Sequence, residues 1–163
     1  MKFHEKTRLV LTTLATATLA VGAPAFAQEE AETGQPVNVR FTGIKPEAGT
    51  LWISLCTREE VPKISQGGCS HNAQIPAMEG AQHTFIPDAP GVYVISVYHD
   101  VNDNGRLDFD DQGGPYEAIG NSRNAVGEFG PPTFDQTKFQ VRPQSQAEQT
   151  ISLTIELRRV ELP

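Results

Sequence analysis

The sequence predicts an all-β fold, an antiparallel β-sandwich of about six or seven short strands. Three observations carry that prediction. Apolar residues recur with a period of two, glycine- and proline-bearing turns separate the apolar runs, and outside the first 27 residues no helical pattern outlasts a turn or two.

The elements follow in order. Val37, Val39 and Phe41 alternate with Asn38, Arg40 and Thr42, the pattern of a half-buried strand. Lys45 to Gly49 reads as a turn, and Thr50 to Thr57 (TLWISLCT), apolar on both faces, reads as a central strand. A polar loop follows, then a short strand from Ala81 to Ile86 that stops at Pro87-Asp88-Ala89-Pro90-Gly91. Val92 to His99 (VYVISVYH) is β-branched and aromatic nearly throughout. From Asp100 to Thr133 the chain is loop-rich. Strands resume at Thr137 to Arg142 and at Thr150 to Arg158, where Ile151, Leu153, Ile155 and Leu157 alternate with Ser152, Thr154, Glu156 and Arg158. The domain is expected over residues 36–160, a length at which roughly two thirds of the unfolded surface can be buried without help from metal or cross-links.

The preceding segment reads as a secretory leader over residues 1–27. Lys2, Lys6 and Arg8 form a basic start, Leu9 to Val21 an apolar stretch too short for a bilayer span, and Ala25-Phe26-Ala27 a small-x-small cleavage site. A periplasmic or secreted protein is the expectation, without a membrane span. Residues 28–35 are acidic, with alanine as their apolar content, and are expected to be a disordered lead-in.

The 163 residues carry 13 Lys+Arg against 20 Asp+Glu, a formal charge of −7. Cleavage after Ala27 removes three basic groups and one acidic one, leaving 10 against 19 and a charge of −9. Nucleic acid and anionic lipid are poor partners for such a surface, and cations are good ones. The cysteines, Cys56 and Cys69, are expected to bridge in an oxidising compartment. A metal-thiolate pair and a redox pair remain as alternatives, although no C-x-x-C spacing supports either.

The sharpest motif is DVNDNGRLDFDD, Asp100 to Asp111. It fits the calcium-loop template D-x-[DN]-x-[DN]-G, with side-chain oxygens from Asp100, Asn102, Asn104 and Asp108 and a main-chain oxygen from Arg106. A hard cation needs six to eight oxygens at about 2.3–2.6 Å, and alternate residues of a tight loop can all point inward. Gly105 stands where the chain must turn, and Leu107 is placed to pin the loop to the protein. Two residues compete to close the site, Asp111 at position twelve and Glu117 six residues further on. A strand before the loop and a glycine-rich segment after it rule against a helix-flanked EF-hand switch. An ordinary Asx-rich turn uses the same residue types. With so few carboxylates, calcium affinity is expected in the range of extracellular modules, about 10⁻⁴–10⁻³ M.

A wider pattern runs through the same region. Pro90-Gly91-Val92-Tyr93 is followed by His99-Asp100 with Asn102, Asn104, Gly105 and Asp108, then Gly113-Gly114-Pro115-Tyr116-Glu117, Gly120-Asn121-Ser122-Arg123-Asn124 and Phe129-Gly130-Pro131-Pro132-Thr133-Phe134. In this order the motifs resemble the bacterial family filed as domain of unknown function 2141, with Gly114 and Arg123 departing from its pattern. The resemblance implies an exported β-sandwich of immunoglobulin or transthyretin-like type and no assigned activity.

Two functions from different classes remain open. One is a non-catalytic module with a structural calcium loop that binds an envelope protein or a glycan. The other is a small metal-assisted hydrolase built on the same loop, using His99, Asp100, Glu117, Ser122 or Tyr116. Successive strand residues point to opposite faces, so His99 and Asp100 cannot form a relay with each other, and Ser122 lacks a nucleophile-elbow setting. His71, His83 and His99 match no zinc spacing, and His4 belongs to the leader.

Overall fold

The computed structural model describes residues 31–159 except Gln112 and Phe129, so the leader expected over residues 1–27 lies outside the described residues. The chain forms β1 (Val37–Thr42), β2 (Thr50–Thr57), β3 (His71–Pro76), β4 (Gln82–Phe85), β5 (Gly91–Asp100), β6 (Ile119–Asn121), α1 (Phe134–Thr137), β7 (Phe139–Val141) and β8 (Ile151–Glu156). Three strands pair in the order β4-β1-β8, and five build a second sheet, β3-β2-β5-β6 with β7 also on β5.

Both sheets are rich in antiparallel pairs, but β1 and β8 run parallel, from Val37↔Ile151 to Thr42↔Glu156. This corrects the wholly antiparallel expectation. Parallel neighbours need a long crossover, and all the chain between Thr42 and Ile151 supplies one. The count also exceeds the expected six or seven, because β3 and β6 were not anticipated. β2 does lie inside its sheet, flanked by β3 and β5.

Period-two alternation turns Leu51, Ile53 and Leu55 of β2 and Tyr93, Ile95 and Val97 of β5 to one face. There they share a single core with Val37, Val39 and Phe41 of β1, Phe85 of β4 and Ile155 of β8. Each such side chain contributes about 1.5–3 kcal/mol on burial. The sheets approach closely at β6, where a Cβ on Gly120 would stand 2.7 Å from Ile155 Cγ2 and 3.1 Å from Val97 Cγ1.

The outer face of the larger sheet carries a second, smaller cluster. Cys56, Cys69 and Val94 are buried there beneath Val61, Ile64 and Phe134, and Cys56 and Cys69 are joined in a disulfide. The 3₁₀ turn Val61–Gln66 lies within the bridged loop, and Glu60 accepts from Thr57 N at 2.8 Å and Ser70 N at 3.0 Å, tying the loop's two ends together.

The described part of the lead-in differs from a free segment. Gly34 N donates to Pro87 O at 2.8 Å and Gln35 N to Arg142 O at 2.9 Å. Gln35 is buried because its amide matches two main-chain groups at once, donating to Gln149 O and accepting from Arg142 N.

Candidate functional site

Asp100 is the last residue of β5, opposite Thr50 of β2, and its side chain shares the outer face with Tyr98 and Trp52. It is 1% exposed. Three N–H groups satisfy the carboxylate: Trp52 Nε1 and Gly105 N on Oδ2 at 3.1 and 2.8 Å, and Asn104 N on Oδ1 at 3.0 Å. The chain can fold back on its own strand end because Gly105 adopts φ 79°, in the left-handed region that glycine enters without a Cβ penalty.

The remaining loop oxygens interlock with Asp100. Asn104 N is shared between Asp100 Oδ1 and Asn102 Oδ1, the latter at 3.2 Å, and Arg106 N donates to Asn104 Oδ1 at 3.0 Å. The amides of Asn102 and Asn104 both converge on Asp108 Oδ2, at 2.9 and 2.7 Å. The hydrogen bond from Asn102 first, then that from Asn104 and the Arg106 guanidinium 3.4 Å from Oδ1, together outweigh the opposing effect of desolvation and hold the Asp108 carboxyl below its ordinary pKa. Leu107 is half-buried beside them.

Glu117 closes the arrangement from the far side. It is 3% exposed, and its two oxygens accept from Val101 N at 2.9 Å and Asp108 N at 3.2 Å, the first at the start of the loop and the second at its end. Asp111 stands apart, exposed in the turn that follows. The structure therefore brings together Asp100, Asn102, Asn104, Asp108 and Glu117, and leaves Asp111 out.

Two carboxylates, those of Asp100 and Glu117, are thus nearly fully buried near one another. Among the described residues neither has an ion pair with Lys or Arg. The neighbouring phenol registers them: Tyr98 is pushed up to about 12, first by burial and then by the charges of Asp100 and Glu117. Among the described residues no three His, Cys, Asp or Glu side chains cluster so as to hold a metal ion. The donor set here mixes carboxylates with amide and main-chain oxygens.

Two contributors were not singled out in the sequence. Trp52 reaches Asp100 with its indole, and Thr50 Oγ1 donates to Asp103 Oδ1 at 2.8 Å, holding a residue with φ 54°. Only the β2–β5 register reveals them. It sets Thr50 opposite Asp100 and Trp52 one same-face position away.

The residues considered for catalysis each have a partner of their own. His99 points into the protein, where Nε2–H donates to Ala48 O at 2.7 Å and Nδ1 is buried without a partner. Ser122 Oγ accepts from Ile95 N at 3.0 Å and donates to Thr137 O at 2.6 Å. Tyr116 is exposed beneath the Arg159 guanidinium, 4.6 Å from its ring centroid. His71 lies 3.6 Å from Asp88, and His83 stands edge-on to Phe85.

Fold and loop together define a mostly β domain whose larger sheet ends in an Asp/Asn-rich turn. Over residues 39–149 the chain matches the family described as "Uncharacterized protein conserved in bacteria (DUF2141)", and it belongs to that family. No curated protein and no solved structure matches it. Among the described residues no helix is long and apolar enough to cross a membrane.

Proposed function

We propose that this is an exported, non-catalytic β-sandwich module of immunoglobulin or transthyretin-like type, whose Asp100–Asp108 loop holds a structural calcium ion and which binds a protein or glycan of the cell envelope. The sandwich reading is supported by the single core shared by both sheets. The disulfide supports export, since such bridges persist in oxidising compartments.

One observation carries the calcium reading: Asp100 and Glu117 are buried carboxylates offset by N–H donors alone. Burying a charge is costly unless an opposite charge compensates it, and a cation at the loop would do so. The side chains fit such an ion. Asp100 Oδ1 accepts one N–H and keeps a lone pair, and a half-turn of the Asn102 and Asn104 amides would exchange N–H for oxygen donors beside Asp108. Carboxylate, amide and carbonyl oxygens are the ligands calcium takes, whereas magnesium gives up its water less readily. An ion held this way ties the end of β5 to the segment leading into β6, which is a structural task.

Trp52 is the sole tryptophan and touches Asp100, so its fluorescence reports on the site. Calcium added to the purified protein should change that fluorescence with a midpoint at about 10⁻⁴–10⁻³ M. At 10 mM calcium the native state should gain about 1.4–2.7 kcal/mol, seen as a raised melting temperature. Asp100→Ala should abolish both responses. Equal melting temperatures in 10 mM calcium and in chelator would refute the assignment.

A further inference from the structure

The Asp100–Asp108 loop contains a reactive pair of residues. Asn104 stands immediately before Gly105, and no other asparagine of the chain precedes a glycine. Asparagine is thermolabile because its side-chain amide can be attacked by the main-chain nitrogen of the residue that follows. Most side chains at that next position hinder the approach. Glycine, having no Cβ, does not.

The surroundings of Asn104 both prepare this attack and block it. Asn104 is exposed, and its side chain leans forward over the Gly105 peptide, with Oδ1 accepting from Arg106 N, two residues on, at 3.0 Å. That N–H polarises the side-chain carbonyl and stands where negative charge would gather as a nitrogen adds to Cγ. The attacking group, however, is held elsewhere. Gly105 N–H donates to Asp100 Oδ2 at 2.8 Å, and the amide that would leave, Nδ2, donates to Asp108 Oδ2 at 2.7 Å. Asp100 is 1% exposed and accepts two further N–H groups, from Trp52 Nε1 and Asn104 N, so little water competes for it. A bond to a carboxylate is among the stronger hydrogen bonds, and this one must break before Gly105 N can turn toward Cγ.

We propose that Asn104 is a deamidation site gated by Asp100, and that its conversion marks chains whose loop has opened. On opening, Gly105 N bonds to Asn104 Cγ and the Cγ–Nδ2 bond breaks. The Gly105 N–H proton leaves with Nδ2 as ammonia, and a cyclic imide remains. Water then opens the imide at either carbonyl, giving aspartate at position 104 or its isomer linked through the side-chain carboxyl. The net change is amide plus water to acid plus ammonia, and it consumes no oxidant or reductant. Either product alters the loop irreversibly. Aspartate sets a carboxylate where Nδ2 now donates to Asp108 Oδ2, so an attraction becomes a repulsion between like charges. The isomer adds a main-chain carbon before Gly105 and upsets the spacing that brings Arg106 N to Oδ1. The gate is a hydrogen bond between two groups of the chain, so it stands apart from the calcium reading.

The test follows the full protein in mildly alkaline buffer by peptide mapping, which locates the mass gain of an amide-to-acid exchange and separates the two products. The denatured protein should convert at Asn104 faster than at any other asparagine. The native protein should convert there at least about tenfold more slowly, the population change expected where a charge-assisted hydrogen bond holds the nucleophile. Asp100→Ala, shown to be folded by circular dichroism, should convert at least about fivefold faster than the parent. Asp108→Ala, which frees Nδ2 but leaves the Gly105 bond in place, should accelerate conversion less. The parent alone supplies a second measure, since across sub-denaturing urea its conversion should rise in step with hydrogen exchange at Gly105 N. A denatured chain that spares Asn104, a native chain that converts as fast as the denatured one, or a folded Asp100→Ala variant no faster than the parent would each overturn the proposal. So would conversion that stays constant while exchange at Gly105 N rises.

Discussion

At one end of the paired strands β2 and β5 the outer face carries Cys56 and Val94, and at the other it carries Asp100 beside Thr50. Each end fastens a long connection, the first chiefly by a covalent bond and the second by hydrogen bonds alone. The first connection leads from β2 to β3 and is closed covalently under an apolar cover of Val61, Ile64 and Phe134. The second leads from β5 to β6 and is closed by the carboxylates of Asp100 and Glu117 accepting main-chain N–H groups. The disulfide itself carries no charge, and the Glu60 carboxylate beside it, accepting from Thr57 N and Ser70 N, adds a polar tie at this end. A polar clasp rests on buried carboxylates, which a cation would offset on the proposed reading. One sheet thus has a disulfide-bridged end and an end where, on the proposed calcium reading, an ion would bind.

The largest expected effect breaks the covalent end. Cys56 and Cys69 are 13 residues apart, and opening a loop of this size returns about 3 kcal/mol of chain entropy to the unfolded state. Cys56→Ser with Cys69→Ser should therefore lower the melting temperature by on the order of 10 °C. The calcium-dependent increment in melting temperature should persist in that double variant. Its disappearance would show that the two ends are coupled through β2 and β5 rather than independent.

A smaller effect separates the two candidates at the polar end. Glu117→Ala leaves the Val101 and Asp108 N–H groups without their acceptor, a loss of about 2 kcal/mol in a denaturant titration without calcium. Asp111→Ala removes an exposed side chain and should change stability by less than about 0.5 kcal/mol. Equal losses in the two variants would overturn the view that Glu117, not Asp111, closes the loop.

What was legible in the sequence depended on how strongly each element declares itself alone. β1, β2 and β5 each bury a full apolar row, and β8 turns half-buried Ile151 and Leu153 and buried Ile155 the same way, so alternation names both strand and inward face. β3 offers only Ala73 and Ile75 to the core between polar residues, and β6 is three residues centred on Gly120; both exist because β2 and β5 present edges to pair with. The parallel β1–β8 pair joins the two ends of the described chain, a relation no local pattern encodes. Asp100, Asn102, Asn104 and Asp108 were legible because they lie within one motif, whereas Glu117 lies six residues beyond its end and was legible only as one of two rival closers. Trp52, 48 residues from Asp100, was not, since its part depends on strand register.

The smallest expected effect concerns the phenol that senses the polar end. Tyr98 titrates near 12 in the folded protein and near 10 when unfolded, mainly because it is buried and secondarily because Asp100 and Glu117 are close. A raised folded value means that the neutral phenol is favoured by folding. Its contribution to stability is complete below pH 10 and is lost as pH climbs from about 10 to about 12. Tyr98→Phe should accordingly lose less stability over that window than the parent, measured by denaturation at stepped pH. Asp100→Asn removes one nearby charge, so the phenolate absorbance step assigned to Tyr98 should move down, but by less than half of the shift, because burial remains. A Tyr98 that titrates like a free phenol in Asp100→Asn would instead make charge the main cause. The polar end would then reach further across the sheet than the loop itself.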